Sequence, residues 1–130
     1  MKIIIVSGGF DPIHSGHIAY FKAAKALGDK LIVALNSDQW LTNKKGKFFM
    51  PFGERKIIIE NLGMVDEVID FEDDTQGSAS LALEKVKKNY PDDAVIFCNG
   101  GDRTNGNILE MNVSGVEFVF GVGGEDKKNS

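Results

Sequence analysis

The only two histidines of the chain, His14 and His17, stand in the stretch SGGFDPIHSGH, Ser7 to His17, separated by Ser15 and Gly16. Ahead of them Gly8 and Gly9 allow a sharp turn and a close approach of backbone to ligand. Ser15-Gly16-His17 opens a helix, where free N–H groups and the helix dipole favour a phosphate. His14 in the loop and His17 in the first turn can point at the same anion. Imidazoles donate well to phosphoryl oxygens, and their charge adjusts near neutral pH. This arrangement suits phosphoryl or nucleotidyl transfer, in which a protein mainly positions groups and stabilises charge on phosphorus. No nucleophilic side chain is needed when the acceptor is itself an anionic phosphate. There is no P-loop and no Ser-His-Asp set, and Gly8 followed directly by Gly9 is not GxGxxG. For an isolated HxGH tetrapeptide, two hydrogen-bonded structural histidines are an equal alternative; the flanking elements weigh against it.

Those elements are readable. Ile3 to Val6 is a β-branched apolar run of the kind that forms a buried parallel strand. His17 to Leu27 places Ile18, Phe21, Ala24 and Leu27 on one helical face and Lys22 and Lys25 on another, closed by Gly28. Lys30 to Asn36 is a second buried strand, and a right-handed crossover makes the two parallel. Further along, Phe52–Leu62 reads as a helix and Asp66–Phe71 as a strand. Ser78–Tyr90 reads as a helix with Leu81, Leu83, Val86 and Tyr90 inward; Ala94–Cys98 and Val116–Phe120 are the last strands. The expectation is an α/β fold, a Rossmann-like doubly wound parallel sheet of about five strands in a single domain. The glycine-rich turns at residues 7–9 and 99–102 both follow strands, so they share the carboxyl edge where such sheets bind ligands. Residues 38–51 read as the longest irregular loop, carrying Lys44, Lys45 and Lys47. The acidic run Asp70–Asp74 reads as a solvated loop.

Composition sets the limits. The 130 residues, 42% hydrophobic and 26% charged, suffice to bury a core without staples. A net charge of −4 argues against a nucleic-acid or membrane-surface binder, but not against a local basic site for a small anion. The single cysteine, Cys98, has no partner for a disulfide or a zinc site, which suits a cytoplasmic protein. No targeting segment is apparent.

With these residues placed, GGFDPIHSGH resembles the HxGH signature of the nucleotidyltransferase superfamily, the cytidylyltransferase-like enzymes. FDPIHSGHIAYFKAAKALGDKLIVALNSD resembles the first half of glycerol-3-phosphate cytidylyltransferase and is similarly close to the adenylyltransferase domain of heptose-phosphate enzymes. Glu54-Arg55-Lys56, Val65–Ile69 and Asn99–Asp102 continue the similarity in register, over about residues 3–120.

The resemblance implies transfer of CMP from CTP, or AMP from ATP, to a phosphorylated small molecule, with release of pyrophosphate and assistance from Mg²⁺ bound with the triphosphate. A polyol or sugar phosphate is the expected acceptor, and CTP is favoured over ATP. The stretches VDEVIDFEDDT and GGD, which are similar to the heptose-phosphate adenylyltransferase pattern, keep ATP open. It further implies that His14 and His17 contact the triphosphate, that Lys44 bridges acceptor and α-phosphate, and that Gly101 and Asp102 lie near base and ribose. Gly8, Gly9, Phe10, Asp11 and Gly16 form the nucleotide-binding turn, although Phe10 and Ile13 read as packing and Asp11 as a turn cap equally well. Asp38, Arg55 and Asp66 fall on positions that bind substrate or support structure; Arg55 could fork onto a phosphate or pair with an acid such as Asp66. Trp40 reads mainly as apolar surface, with acceptor contact as the lesser option. Enzymes of this fold are often dimers, so a homodimer is kept as an option. Where relatives carry an arginine and a Ser/Thr-rich helix start, this chain has GVGGEDKKNS, Gly121 to Ser130, without arginine. The domain, residues 1–130, is therefore expected to be truncated at its C-terminus. A non-catalytic nucleotide-binding module is the alternative from a different class.

Overall fold

The computed structural model describes residues 1–74, 78–99, 110 and 113–122. Its centre is β1 (Lys2–Gly8), in which Ile3, Ile4, Ile5 and Val6 have no exposed surface. Successive side chains of a strand point to opposite faces, so an apolar run with no alternation must be covered on both. Ile4 and Val6 pack on Phe21 and Ala24 of α1 (Ser15–Lys25) and Ile59 of α3 (Phe52–Glu60). Ile3 and Ile5 pack on the other side, against Ala82, Leu83 and Val86 of α4 (Ser80–Asn89).

Among the described residues, the remaining strands are β2 (Lys30–Leu35), β3 (Glu67–Ile69), β4 (Ala94–Cys98) and β5 (Val116–Val119). All pairings are parallel, in the order β3-β2-β1-β4-β5. The chain moves outward from β1 to β3, then returns through α4 to lay β4 on the free side of β1. The strand order reverses at β1 and β4, which places a ligand crevice at their carboxyl ends. This is the doubly wound five-strand sheet expected from the sequence.

Three details differ from expectation. Asp38–Lys45 is a helix, α2, inside the stretch read as an irregular loop. Ser37 Oγ accepts from Trp40 N at 3.0 Å to start it, and Gly46, in the left-handed region at φ 87°, ends it by donating to Thr42 O. Only Leu41 of α2 is buried, so the segment shows no apolar stripe. Second, α1 ends at Lys25 and leaves Leu27 exposed rather than in the core. Third, Ala82 joins Leu83 and Val86 in the core, while Leu81 and Tyr90 are only half-buried.

Candidate active site

The turn after β1 is shaped by contact more than by glycine dihedrals. A Cβ on Gly9 would stand 2.5 Å from Leu41 Cδ2, and one on Gly8 would stand 2.8 Å from the tip of the Phe10 ring. The left-handed residue is Phe10 itself, at φ 50°. That conformation costs a non-glycine residue about 1–2 kcal/mol. Burial offsets it: the Phe10 ring is packed edge-on against Phe21 and His17, each with centroids 4.9 Å apart. Phe10 is thus the floor of the turn, as its packing reading has it. The Asp11–Pro12 peptide is cis.

His14 is the N-cap of α1. Its Nδ1 accepts from Gly16 N at 3.1 Å, and His17 Nδ1 accepts from His14 N at 3.2 Å, a reciprocal capping box built from two imidazoles. The rings stack with centroids 3.7 Å apart and planes 24° apart. Because each Nδ1 is an acceptor, Nε2 is the nitrogen of each ring that carries a proton. Both rings line one cleft. Burial, and then the charge of His14, lower the His17 pKa from 6.5 to about 4. His17 is therefore uncharged at neutral pH, unlike the freely adjusting imidazole expected from sequence. The helix start also differs: Gly16 N is engaged by His14 and His17 N by the His14 carbonyl, so those two amides are not open to an anion.

α2 brings a second set of groups to the same cleft. Lys44 Nζ lies 4.7 Å from the centre of the Trp40 ring. Lys45 Nζ donates to the Asp11 carbonyl at 2.8 Å and lies 3.7 Å from its carboxylate. The Asp11 carboxylate is buried and accepts from Phe49 N and Met50 N, each at 2.7 Å, which fastens the α2–α3 connection to the histidine turn. Asp11 is thus a cap, but of a segment far along the chain rather than of its own turn.

Arg55 is wholly buried. Its Nε donates to Met50 O at 2.9 Å, its Nη1 to Gly9 O and Asn36 O at 2.8 Å each, and its Nη2 to Asp38 Oδ1 at 2.7 Å. One guanidinium thereby joins the ends of β1 and β2 to the start of α2 and the entry of α3. It forks onto Asp38 and three carbonyls, not onto Asp66. Asp66 lies at the opposite, amino edge of the sheet, where it accepts from Leu31 N at 2.8 Å and pairs with Lys25. Burial alone would raise its pKa, but Lys25 and the Leu31 N–H outweigh it and hold the carboxyl below its ordinary value.

The resulting cleft, about 450 Å³, is lined by Gly8 and Gly9, by both histidines and by Trp40, Leu41, Lys44 and Lys45 of α2. Glu110, buried and accepting from Ala79 N at 2.7 Å, closes a further side at the start of α4. Asn99, just past β4 at the same edge of the sheet, buries an Nδ2 with no hydrogen-bond partner among the described residues. Lys45, Asn36 and Glu110 are site residues that sequence reasoning did not select. For Lys45 a signal existed: the caps of α2 identify a helix, on which adjacent lysines diverge by a fixed angle. Gly101 and Asp102 lie outside the described residues. Among the described residues, no group of three or more His, Cys, Asp or Glu side chains is arranged to hold a metal, and no helix is long and apolar enough to cross a membrane. Chemically, the cleft is lined by two imidazoles and two ammonium groups, an inventory suited to a polyphosphate on a chain of net negative charge.

Comparison with known proteins bears on this geometry. Residues 5–122 match the cytidylyltransferase-like family. The chain is 34% identical over 128 residues to the bifunctional protein HldE of Photorhabdus laumondii and 38% identical over 129 residues to that of a Marinomonas species. Each alignment covers 97% of this chain, which spans only 24% of those relatives' length. Among solved structures, the lipopolysaccharide core biosynthesis protein from Thermoplasma volcanium is similar with a TM-score of 0.70 and 26% identity, over 92% of this chain and 95% of that one.

Proposed function

The chain belongs to the cytidylyltransferase-like family, and we propose that it transfers AMP from ATP to a sugar phosphate. An oxygen of the acceptor phosphate attacks the α-phosphorus, the new P–O bond forms, and the bond from the α-phosphorus to the α–β bridging oxygen breaks to release pyrophosphate. The observation that carries this reading is the histidine pair: two stacked imidazoles that line one cleft and whose Nδ1 atoms both accept from backbone N–H groups, which leaves Nε2 as the donor nitrogen of each ring. Donors fixed before the reaction stabilise developing charge without reorganising. Lys44 and Lys45 supply positive charge in the same cleft. Magnesium would enter with the triphosphate, held by phosphate oxygens, and its contribution would be to neutralise charge on the phosphates.

ATP replaces CTP as the leading donor on the strength of the relatives. Residues 65–75 resemble the heptose-phosphate adenylyltransferase pattern, and that pattern couples ATP to a sugar phosphate. The similar Thermoplasma volcanium protein acts in lipopolysaccharide core biosynthesis, which also favours a sugar-derived acceptor. CMP transfer from CTP to a polyol phosphate is the second reading.

The deciding experiment is pyrophosphate release with ATP and CTP, each crossed with sugar phosphates and polyol phosphates, in magnesium buffer. Release with ATP and a sugar phosphate is expected. Release with CTP alone would replace the donor, and nucleotide binding without release under any pairing would favour a binding module. No nucleotide binding would overturn the reading.

A further inference from the structure

Trp40 and Lys44 stand four positions apart on α2, the spacing that puts two side chains on one helix face. Lys44 Nζ lies 4.7 Å from the indole centroid, inside the roughly 6 Å range over which a cation is attracted to an aromatic face. Both residues line the cleft that holds His14 and His17. Their base is fixed: Leu41, between them, is buried beneath Gly9 in the turn that follows β1. Lys44 is exposed, and an exposed lysine otherwise samples many rotamers, losing entropy whenever a ligand fixes it. Lys45 solves the same problem differently, through its hydrogen bond to the Asp11 carbonyl.

We infer that Trp40 is a positioning residue whose indole face holds the Lys44 ammonium inside the cleft, ready for the phosphates of a bound polyphosphate. An ammonium carries three N–H donors, and the ring covers only one side of it, so the stack persists while the outer donors meet phosphate oxygens. Trp40 acts through Lys44 and makes no bond to the ligand. This rests on the cleft being the triphosphate site.

Trp40 is the only tryptophan of the chain, so its emission reports on this one place. The probe is inorganic tripolyphosphate, which has no base to quench an indole, titrated into the full chain by fluorescence and calorimetry in parallel. Wild type should show an emission change that saturates at the calorimetric Kd. In Lys44→Gln, binding should weaken about tenfold and remain measurable, with the emission change lost. Trp40→Leu should weaken binding about 2–5-fold, Trp40→Phe should recover part of it, and Trp40→Leu should add nothing in the Lys44→Gln background. Trp40→Phe retains an aromatic ring and serves in the same cycle if Trp40→Leu does not fold. An emission change that survives Lys44→Gln, or losses that simply add, overturns the inference. Failure of wild type to bind tripolyphosphate overturns the reading of the cleft as a triphosphate site, and this inference with it.

Discussion

Arg55 Nη2 donates to Asp38 Oδ1 at 2.7 Å, and the arginine has no exposed surface while a third of the aspartate side chain meets solvent. The guanidinium is therefore closed to substrate, and its work is to hold three backbone carbonyls and one carboxylate in register around the cleft.

Replacing Arg55 by Met should lower unfolding free energy by about 3 kcal/mol or more, because buried carbonyls lose their donors at about 1–3 kcal/mol each. Arg55→Lys keeps the charge but not the planar fork, and should fall between Met and wild type. Urea denaturation measures both; a lysine variant as stable as wild type would count against the fork.

His17→Gln should reduce the rate of nucleotidyl transfer about 10²–10³-fold while changing nucleotide affinity little, as expected for a donor that acts mainly in the transition state. Separate determination of kcat and of nucleotide Kd by calorimetry checks this. A large loss of affinity at unchanged kcat would mean that His17 only binds.

The pH dependence of stability has a definite sign. His17 titrates near 6.5 when unfolded and near 4 when folded, so between these values the unfolded chain binds the extra proton. Its contribution is fully present above pH 6.5 and is lost as pH falls toward 4. Wild-type unfolding free energy should fall more steeply over this window than that of His17→Gln. Equal slopes would show that the half-buried imidazole is not held neutral.

Asp11→Asn removes charge beside Lys45 and leaves one oxygen where two amides, Phe49 N and Met50 N, now each have their own. Hydrogen exchange at Phe49 and Met50 should accelerate at least tenfold, with β1 unaffected. Uniform acceleration throughout the chain would point to global destabilisation instead.

Cys98 is buried, and that burial pushes its thiol up to about 11. It should resist aromatic disulfide reagents at pH 8 in the native protein and react rapidly in urea. Fast native labelling would show that the end of β4 opens.

The parts of the fold legible in the sequence are those with an unambiguous pattern. Ile3–Val6 cannot sit at a half-solvated position, so a central parallel strand follows. HxGH between a strand and an amphipathic helix likewise places both histidines at the carboxyl edge. α2 was hidden because its one core residue, Leu41, generates no period, and only its caps, Ser37 and Gly46, mark it. Arg55 was legible as important and illegible in role: sequence spacing does not disclose that the carbonyls of Gly9, Asn36 and Met50 converge on one point. Neutral His17 belongs to the same class, since burial is a property of the assembled turn.

The strand order carries a consequence for synthesis. β1 is made first and lies at the centre, but its second neighbour, Ala94–Cys98, is made more than eighty residues later. Until that segment leaves the ribosome, the central strand of the sheet is an unprotected apolar edge, able to pair with any other nascent chain. Translation that stalls between Ile69 and Ala94 would release fragments that already contain the histidine turn yet are prone to aggregate, which makes this interval the one in which a holding chaperone matters most.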